Sequence, residues 1–370
     1  MTNTRETTRL RDTIALMSVP GIGAGRFHRL VAEFGSPSQV MAASVSALQR
    51  VPGIGTETAK AIATSSDIST AEKMAESIDR LGWQVHFHGD PSYPARLLSI
   101  PQAPPILFSK GMPFPSDAIS IAIVGTRHPT DRGKQFAQTL ASELASNGVI
   151  VVSGMAEGID SAAHRGALEA GGFTAAVWGT SLDVVYPPSN RELARRIEER
   201  GVLFSENLPN TELDKGAFPN RNRIISGLTV GVVIVEAGDK SGALITAQHA
   251  IEQGRDVYAV PGAPDAKMSV GANGLIKQGA KLITCAQDIM SEISMSASSS
   301  MRAPAPLPEM TETERSILVC LVDEPRQIDQ ISRDMHLSVS EVMEFLLALE
   351  LKGVVKELSG KRFVISEEYR

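Results

Sequence analysis

Phe218-Pro219-Asn220-Arg221-Asn222-Arg223-Ile224-Ile225-Ser226-Gly227 is followed by an apolar run over residues 230–235 and then by Glu236-Ala237-Gly238-Asp239-Lys240-Ser241-Gly242-Ala243. The apolar run predicts a buried strand, and the Gly- and Ser-rich segment after it predicts a turn with free backbone N–H groups. The Arg and Asn side chains before the strand supply fixed hydrogen-bond donors, so this surface suits a phosphate or the edge of a nucleotide. Because no nucleophile stands beside a base here, the stretch indicates binding before catalysis.

Strand-like and helix-like segments alternate on both sides of this stretch, from about residue 118 to 293. Strands are predicted at residues 119–124, 149–152, 173–178, 202–205, 230–235, 256–260 and 281–283, with a helix at about 131–146. Buried apolar strands that alternate with helices indicate an α/β fold with a doubly wound parallel sheet. Ligands of such sheets bind at the carboxyl ends of the strands, where Gly125, Gly154, Gly179, Gly238 and Gly262 fall.

A short motif is repeated near the start of the chain. Val19-Pro20-Gly21-Ile22-Gly23 recurs 32 residues later as Val51-Pro52-Gly53-Ile54-Gly55, with helix-like apolar spacing around each copy. The pair resembles a helix-hairpin-helix tandem, whose turns expose backbone N–H groups to a nucleic-acid phosphate. Gly21, Gly23, Gly53 and Gly55 are therefore candidate accessory DNA-binding residues. The alternative is that the tandem serves packing or partner contacts, with Arg26, Arg29 and Lys60 on a solvated helix face.

The remaining segments complete the predicted domain organisation. Residues 68–117 predict a helix, a short strand and an extension that packs on the sheet, and residues 294–310 form a Ser-, Ala- and Pro-rich linker. Thr311 and Glu314 form a capping box, and three helices with a hairpin describe a winged helix. We therefore expect a helix-hairpin-helix domain at 1–67, the sheet domain at 68–293, the linker at 294–310 and the winged helix at 311–370.

Composition narrows the class of protein. At 370 residues with 42% hydrophobic and 21% charged residues, the chain predicts several globular domains. Its net charge of −6 requires any nucleic-acid site to be a local basic patch, and the acidic Glu341, Glu344 and Glu350 of the winged helix argue against reading of a major groove there. Two distant cysteines, no apolar run near 18 residues and no secretory signal predict a cytoplasmic protein. His86 and His88 lack partners at metal-binding spacing, so no metal site is expected.

The motifs of the sheet region resemble the DprA/Smf family of bacterial DNA-processing proteins, over about residues 93–293. They are Ala122-Ile123-Val124-Gly125-Thr126-Arg127, Ser153-Gly154-Met155-Ala156-Glu157-Gly158-Ile159-Asp160, Ala163-His164, Leu182-Asp183, Tyr186-Pro187, Ser205-Glu206, the 218–227 stretch, Glu236-Ala237, Ser241-Gly242-Ala243-Leu244-Ile245-Thr246 and Ala259-Val260-Pro261-Gly262.

The resemblance implies an extended Rossmann-type domain that binds single-stranded DNA, usually as a homodimer, and passes the strand to the recombinase RecA in natural transformation. It also implies that Arg127 contacts DNA. Many members carry a basic residue after Tyr-Pro, whereas this chain has Pro188, so Arg191 or Lys215 is a candidate replacement. The expected DNA-binding residues are Gly125, Thr126, Arg127, Ser153, Gly154, Lys215, Arg221, Asn222, Arg223, Ser241 and Gly242.

Several of these side chains have a structural interpretation as well. Arg221 and Arg223 can pair with Glu206 or Glu236, and we expect one of the two arginines to be structural. We expect His164 to be buried and hydrogen-bonded, and Asp160 to cap its helix. Trp178 and Tyr186 are candidates for stacking on bases, although core packing is the preferred interpretation of both.

Enzyme interpretations need features that the chain lacks. There is no Walker-type loop, Gly21-Ile22-Gly23-Ala24-Gly25 does not follow a strand, and no carboxylate cluster predicts a metal nuclease. The main alternative is a nucleotide-processing enzyme similar to phosphoribohydrolases, with Glu236 near Ser241 and Gly242 as its basis. A further alternative places the main DNA site on the helix-hairpin-helix tandem and makes the sheet a dimerisation platform. We expect no catalytic residues, no cofactor and no metal.

Overall fold

The computed structural model describes residues 4–64, 68–211, 216–300, 310–321, 326–358 and 362–366. The chain divides into two compact units, Met1–Ile289 and Met290–Arg370. No helix of the described ranges combines the length and apolar character that a membrane span requires.

The first unit begins with helices that form the repeated hairpins. These helices are α1 (Thr4–Met17), α2 (Ala24–Phe34), α3 (Pro37–Ala42), α4 (Val45–Leu48), α5 (Thr56–Thr64) and α6 (Ile68–Arg80). The two turns have the same backbone conformation, with φ of +84° at Gly21 and at Gly53, a left-handed value that a residue with Cβ rarely adopts. Ile22 and Ile54 are buried in the core between the hairpins, which explains why the whole motif is repeated and not only its glycines.

Strands from residue 84 onward form one large sheet. They are β1 (Gln84–Phe87), β2 (Ile106–Gly111), β3 (Ser120–Val124), β4 (Ile150–Ser153), β5 (Thr174–Val177), β6 (Val202–Ser205), β7 (Gly231–Ile234), β8 (Asp256–Ala259) and β9 (Lys281–Leu282). The strand order is β1-β2-β6-β5-β4-β3-β7-β8-β9. The strands from β6 to β9 in this order are parallel, whereas β1 pairs antiparallel with β2, and β2 with β6.

Helices cover both faces of the sheet, so the α/β, doubly wound fold class is confirmed. They are α7 (Ala95–Leu98), α8 (Asp131–Ser146), α9 (Ile159–Glu169), α10 (Arg191–Arg200), α11 (Ala217–Gly227), α12 (Gly242–Glu252), α13 (Val270–Lys277) and α14 (Ala286–Ser300). The order of the strands reverses between β3 and β7, because the chain first builds β4, β5 and β6 on one side of β3 and then returns to its other side. Such a reversal opens a crevice at the carboxyl ends of the two central strands.

The region from residue 68 to 117 differs from the sequence-based expectation. Besides packing on the sheet, this region adds two strands to its edge, β1 and β2. Leu10 and Ile14 of α1 pack with Trp83 and Phe108 in one core, and the Arg9 guanidinium forms an ion pair of 2.8 Å with Asp90. The hairpin helices therefore share a hydrophobic core with this edge of the sheet.

The second unit contains α15 (Glu312–Cys320), β10 (Arg326–Gln327), α16 (Ile328–Met335), α17 (Val339–Leu351), β11 (Val355–Leu358) and β12 (Arg362–Ile365), with strand order β10-β12-β11. The predicted capping box is confirmed, since the Thr311 hydroxyl accepts from the Glu314 N–H and the Glu314 carboxylate accepts from the Thr311 N–H. On α17 the exposed face carries Leu347 and Leu351, 55% and 83% exposed, next to acidic residues. This face lacks the cations that a DNA-reading helix needs.

Candidate nucleic-acid interface

A cavity of about 650 Å³ lies in the crevice between β3 and β7. The loop after β3 supplies Gly125, Thr126 and Arg127. The segment after β7, including the beginning of α12, supplies Gly238, Lys240, Ser241, Gly242, Ala243, Ile245 and Thr246. Helix α11 forms another part of the lining. The predicted position of the ligand site at the carboxyl ends of the strands therefore coincides with the position of the cavity.

The Arg- and Asn-rich stretch forms helix α11, which precedes β7. Ile224 and Ile225 are buried on this helix, which explains why it packs closely on the sheet. The amide of Asn222 donates to the backbone oxygen of Gly242 at 3.3 Å and thereby connects α11 with the beginning of α12. The two helices that flank the cavity are thus held together at its edge.

Arg221 lies at the buried base of the cavity, with only 5% of its surface exposed. Its guanidinium donates to the backbone oxygens of Gly154 and Val177, at the ends of β4 and β5. Burial lowers the pKa of Arg221 to about 10, so the group remains charged at neutral pH. Arg221 thus places a fixed positive charge at the base of the cavity.

Asp160 is the carboxylate that accompanies this arginine. It lies in the first turn of α9 but does not cap the helix as expected, because the N-cap residue is Gly158 and the Asp160 carboxylate accepts from the Ala156 N–H at 3.3 Å. Burial raises the pKa of Asp160 to about 6, and the charge of Arg221 opposes this shift. A Cβ on Gly154 would lie 2.7 Å from both side chains, so only glycine leaves room for this pair of charges.

Arg223 has a structural role in the described part of the chain. Its guanidinium donates to both carboxylate oxygens of Glu206, at 2.9 and 2.7 Å, and the side chains are 6% and 16% exposed. This pair was one of the expected possibilities. Since Arg223 does not line the cavity, Arg221 is the arginine of the two that faces the candidate site.

Glu236 pairs with neither arginine in the described residues. Its carboxylate accepts from the Thr130 backbone N–H at 2.9 Å and from the Thr130 hydroxyl at 2.6 Å, at the N-terminus of α8. A Cβ on Gly133 would approach this carboxylate to 2.3 Å, so the packing around it is tight. Glu236 therefore braces the loop after β3 against the loop after β7.

Two aromatic rings line the cavity beside Arg127. The rings of Tyr186 and Phe218 are 5.2 Å apart, and the guanidinium of Arg127 lies 5.7 Å from the centre of the Phe218 ring. Tyr186 is 37% exposed, so the preference for core packing is wrong for this residue. Trp178 is 3% exposed and belongs to a core cluster, as expected. A cation next to an exposed tyrosine and a half-buried phenylalanine is an arrangement that suits a phosphate and its neighbouring base.

The structure brings most of the predicted site residues together. Those that line the main cavity are Gly125, Thr126, Arg127, Arg221, Asn222, Ser241 and Gly242. Gly154 lines a smaller adjoining cavity together with Arg127 and Arg221. The hydroxyl of Ser153 is buried and donates to the Ile123 oxygen at 2.7 Å, so it lies away from the cavity, and Lys215 falls outside the described residues.

Phe218 and Lys240 line the main cavity although sequence reasoning did not select them. Both stand within the stretches that flank β7. The aromatic character of Phe218 and the charge of Lys240 were visible signals, but neither residue's direction can be deduced from the sequence.

The hairpin glycines form a separate surface. Gly21, Gly23, Gly53 and Gly55 are exposed, and none of them lines the main cavity. Arg26 donates to the Gly21 oxygen at 2.7 Å, so this cation stabilises its own turn.

Among the described residues, no group of three or more His, Cys, Asp or Glu side chains is placed to hold a metal ion. His164 is fully buried, and its Nδ1 lies 2.8 Å from the Thr174 hydroxyl, as the expected buried histidine requires. It lies away from the main cavity lining and is not placed to act there as an acid or base.

Comparisons with known proteins agree with this geometry. The family model of DNA recombination-mediator protein A matches residues 84–294, the DprA winged helix domain matches residues 301–361, and a SAM-like helix-hairpin-helix tandem matches residues 13–65. Protein Smf of Synechocystis is 32% identical over 95% of this chain and 97% of its own, and DNA processing protein DprA of Bacillus subtilis is 45% identical over 54% and 68%.

Solved structures show the same relationship. DNA processing protein A from Streptococcus pneumoniae superposes with a TM-score of 0.67 and 33% identity, covering 76% of this chain and 97% of that one. A structure of the Helicobacter pylori protein, which describes its single-stranded DNA binding mode, has a TM-score of 0.53 and 30% identity over 58% and 96%. Since the family model matches more than half of the sequence and a relative matches nearly all of it, this chain belongs to the DNA recombination-mediator protein A family, whose members are named DprA or Smf.

Proposed function

We propose that this protein binds single-stranded DNA at the carboxyl edge of its parallel sheet and passes the strand to the recombinase RecA during natural transformation. The observation that carries the proposal is the main cavity, whose lining combines Arg127, Arg221 and Lys240 with the rings of the exposed Tyr186 and the half-buried Phe218. Cations and aromatic faces together bind a single strand without reading its sequence. The similarity to the Helicobacter pylori protein adds support.

The proposed site comprises Gly125, Thr126, Arg127, Gly154, Arg221, Asn222, Ser241 and Gly242, with Phe218 and Lys240 added. Lys215 stays a candidate from sequence alone. The cavity accepts a single strand because its aromatic rings can stack only on bases that are free of a duplex partner.

Titration of labelled single-stranded and duplex oligonucleotides at several salt concentrations tests this function. We expect tighter binding of the single strand and a steep loss of affinity with salt, because phosphate contacts release counterions. Equal affinity for both forms at matched salt would refute the proposed mode of binding.

Transfer to RecA is the second part of the proposal. We expect the protein to shorten the delay before RecA assembles on single strands that are coated with single-strand binding protein. The Arg127→Ala variant is the control, since weaker DNA binding should restore the delay. If the wild-type protein leaves the delay unchanged, the protein does not load RecA, even if it binds single-stranded DNA.

The proposal includes a homodimer that forms through the sheet domain, and a cytoplasmic location. It also includes domain boundaries after residues 67, 293 and 310. Cys285 and Cys320 are both free thiols, which suits a reducing compartment. Light scattering of the full chain across a concentration series tests the dimer, and a monomer at all concentrations would remove it.

The hairpin tandem is a second candidate for the main DNA site. The observation in its favour is that all four turn glycines are exposed. The phosphoribohydrolase alternative has less support, because the carboxylate of Glu236 already accepts two hydrogen bonds from Thr130.

A further inference from the structure

Arg127 also lines a separate cavity of about 380 Å³. Its walls come from the beginning of α8, the beginning of α9 and the short 3-10 turn Pro188–Asn190. Because Arg127 lines both cavities, the two cavities meet at this residue.

Two further cations line this second cavity, namely Lys134 on α8 and Arg165 on α9. Within the ranges that the structure describes, neither side chain forms a hydrogen bond or an ion pair in the protein. Lys134 is exposed and Arg165 is half-buried. Their charges are therefore available to a ligand, unlike that of Arg223, which Glu206 neutralises.

Two carboxylates, Asp131 and Glu157, share the lining with the three cations. Glu157 is engaged, because its carboxylate accepts from the Ser189 hydroxyl at 2.7 Å. The cations outnumber the carboxylates, and this excess favours an anionic ligand.

The walls that carry these groups are held in place by the fold. Asn190 is 2% exposed, and its amide donates to the Met155 oxygen and the Ser161 hydroxyl, both at 2.8 Å. At Gly158 the backbone has a φ of +83°, and a Cβ would lie 2.5 Å from the Thr126 oxygen. The loops after β3 and β4 are thus in direct contact, which fixes the beginning of α9 relative to Arg127.

The turn that faces the two helices contains Pro188, Ser189 and Asn190 and has no cation of its own. Any positive charge in this cavity therefore comes from Lys134, Arg165 and Arg127. Arg191, the nearest cation after the turn, does not line the cavity.

We propose that this second cavity is a phosphate subsite in which Lys134 and Arg165 bind the backbone of the strand that leaves Arg127. The inference rests on the proposed single-stranded DNA binding. It assigns to α8 and α9 the phosphate contacts that the 188–190 turn lacks.

The test compares Lys134→Gln/Arg165→Gln with Arg132→Gln/Lys73→Gln in the full chain, using a labelled oligothymidylate of about 30 nucleotides. The control removes the same charge from α8 and α6, and Arg132 lines a different cavity. We expect the test variant to lose about tenfold in affinity and its salt slope to fall by about 1.4, which corresponds to about 0.7 for each lost phosphate contact. The control should change less than about twofold.

A charge-preserving variant, Lys134→Arg/Arg165→Lys, separates charge from shape, and we expect it to bind nearly as well as the wild type. If Arg165→Gln prevents folding, Lys134→Gln alone carries the test because Lys134 is exposed. The subsite is refuted if the Lys134→Gln/Arg165→Gln variant has the same salt slope as the control variant. It is also refuted if the charge-preserving variant loses as much affinity as Lys134→Gln/Arg165→Gln. If the wild type itself fails to bind the oligonucleotide, the proposed function fails instead.

Discussion

Gly154 illustrates how one residue position supports the candidate site. It follows β4 and lies against the charged groups of both Arg221 and Asp160, since a Cβ there would lie 2.7 Å from each. The glycine therefore serves the packing of buried charges, whereas its position after a strand and the family motif made it a binding candidate.

Gly154→Ala should destabilise the protein by about 2–3 kcal/mol, because the added methyl group forces apart buried charged groups in a tight core. Denaturant unfolding measures this cost. Gly274→Ala is the matched control, since a Cβ at Gly274 meets nothing within 4 Å and alanine favours the helix. Equal unfolding midpoints for both variants would contradict the role assigned to Gly154.

Arg127→Ala should weaken binding of single-stranded DNA and reduce the salt slope by about 0.7, the value for one phosphate of a single strand. The melting temperature should not change, because Arg127 is exposed on a loop. Arg191→Ala is the comparison, since Arg191 is exposed and lines neither cavity. If Arg191→Ala loses more affinity for single-stranded DNA than Arg127→Ala does, the phosphate contacts lie on α10 and not at Arg127.

The lowered pKa of His164 should make the free energy of unfolding depend on pH. Burial is the main cause that lowers its pKa to about 3, with the charges of Arg221 and Arg165 adding to the shift. The folded chain thus keeps His164 neutral while the unfolded chain protonates it near pH 6.5, so its contribution to stability is complete above pH 6.5 and is lost as the pH falls toward 3. Asp160, whose pKa is raised, contributes in the opposite direction below about pH 6.

Between pH 7.5 and pH 5 the His164 contribution should fall by about 2 kcal/mol, at 1.36 kcal/mol per pH unit below 6.5. His164→Gln should therefore lose less stability than the wild type over this interval. Urea unfolding at the two pH values gives the comparison, in which Asp160 and the other groups affect both proteins alike. Parallel losses in the two proteins would show that His164 is not the group responsible.

At the scale of the element, the geometry of helix α11 gives the charged residues of the Arg- and Asn-rich stretch different roles. Helical spacing directs Arg221 to the base of the cavity and places Arg223 against Glu206. Gly227 allows close packing, because a Cβ would lie 2.7 Å from the Leu97 side chain. One helix therefore carries a residue of the candidate site and a structural ion pair on different sides.

The hairpin helices require a test that leaves the fold intact. Removal of residues 1–67 would expose Trp83 and Phe108, which share a core with α1, so a loss of binding after deletion would not distinguish a lost DNA site from a lost fold. Gly23→Glu/Gly55→Glu is better suited, because a Cβ at either position meets nothing within 4 Å and neither glycine has positive φ.

If the sheet edge is the main site, Gly23→Glu/Gly55→Glu should reduce affinity by less than about threefold, through weak long-range repulsion. The folded state should be unaffected, since carboxylates are tolerated at helix N-termini. Fluorescence anisotropy with a labelled single strand measures the effect. A loss of tenfold or more would identify the hairpin tandem as the principal DNA site.

At the scale of the whole molecule, three carboxylates near the crevice make structural contacts. Glu206 binds Arg223, Glu236 binds Thr130, and Asp160 is buried beside Arg221. A general base needs a free carboxylate within reach of the reacting group. We therefore expect the molecule to hold DNA without changing it chemically.

Incubation of the full chain with Mg²⁺, Mn²⁺, ATP, nucleoside monophosphates and oligonucleotides should yield no new product in chromatography. The matched variants are Glu236→Gln and Glu157→Gln, because Glu157 lies in the second cavity. A product that forms with the wild type and disappears only in Glu236→Gln would favour the phosphoribohydrolase alternative.

The amino-acid sequence by itself determined the parallel sheet, the repeated hairpins and the position of the crevice. Each of these depends on local patterns, namely apolar runs that alternate with helical spacing, a repeated Pro-Gly-Ile-Gly turn and glycines after strands. The bounds of α8, 131–146, and of β6, 202–205, agree with the structure for this reason.

Only the tertiary structure decided the antiparallel edge, the partners of the charged residues and the second cavity. β2 forms its ladder with β6, which is far away in the sequence, and the carboxylate of Glu236 reaches Thr130, 106 residues away. Such pairings depend on which segments meet in space, and composition or spacing along the chain carries no information about that. For the same reason, the side-chain orientations of Ser153, Arg223 and Phe218 follow from how the helices pack on the sheet and cannot be deduced from the sequence.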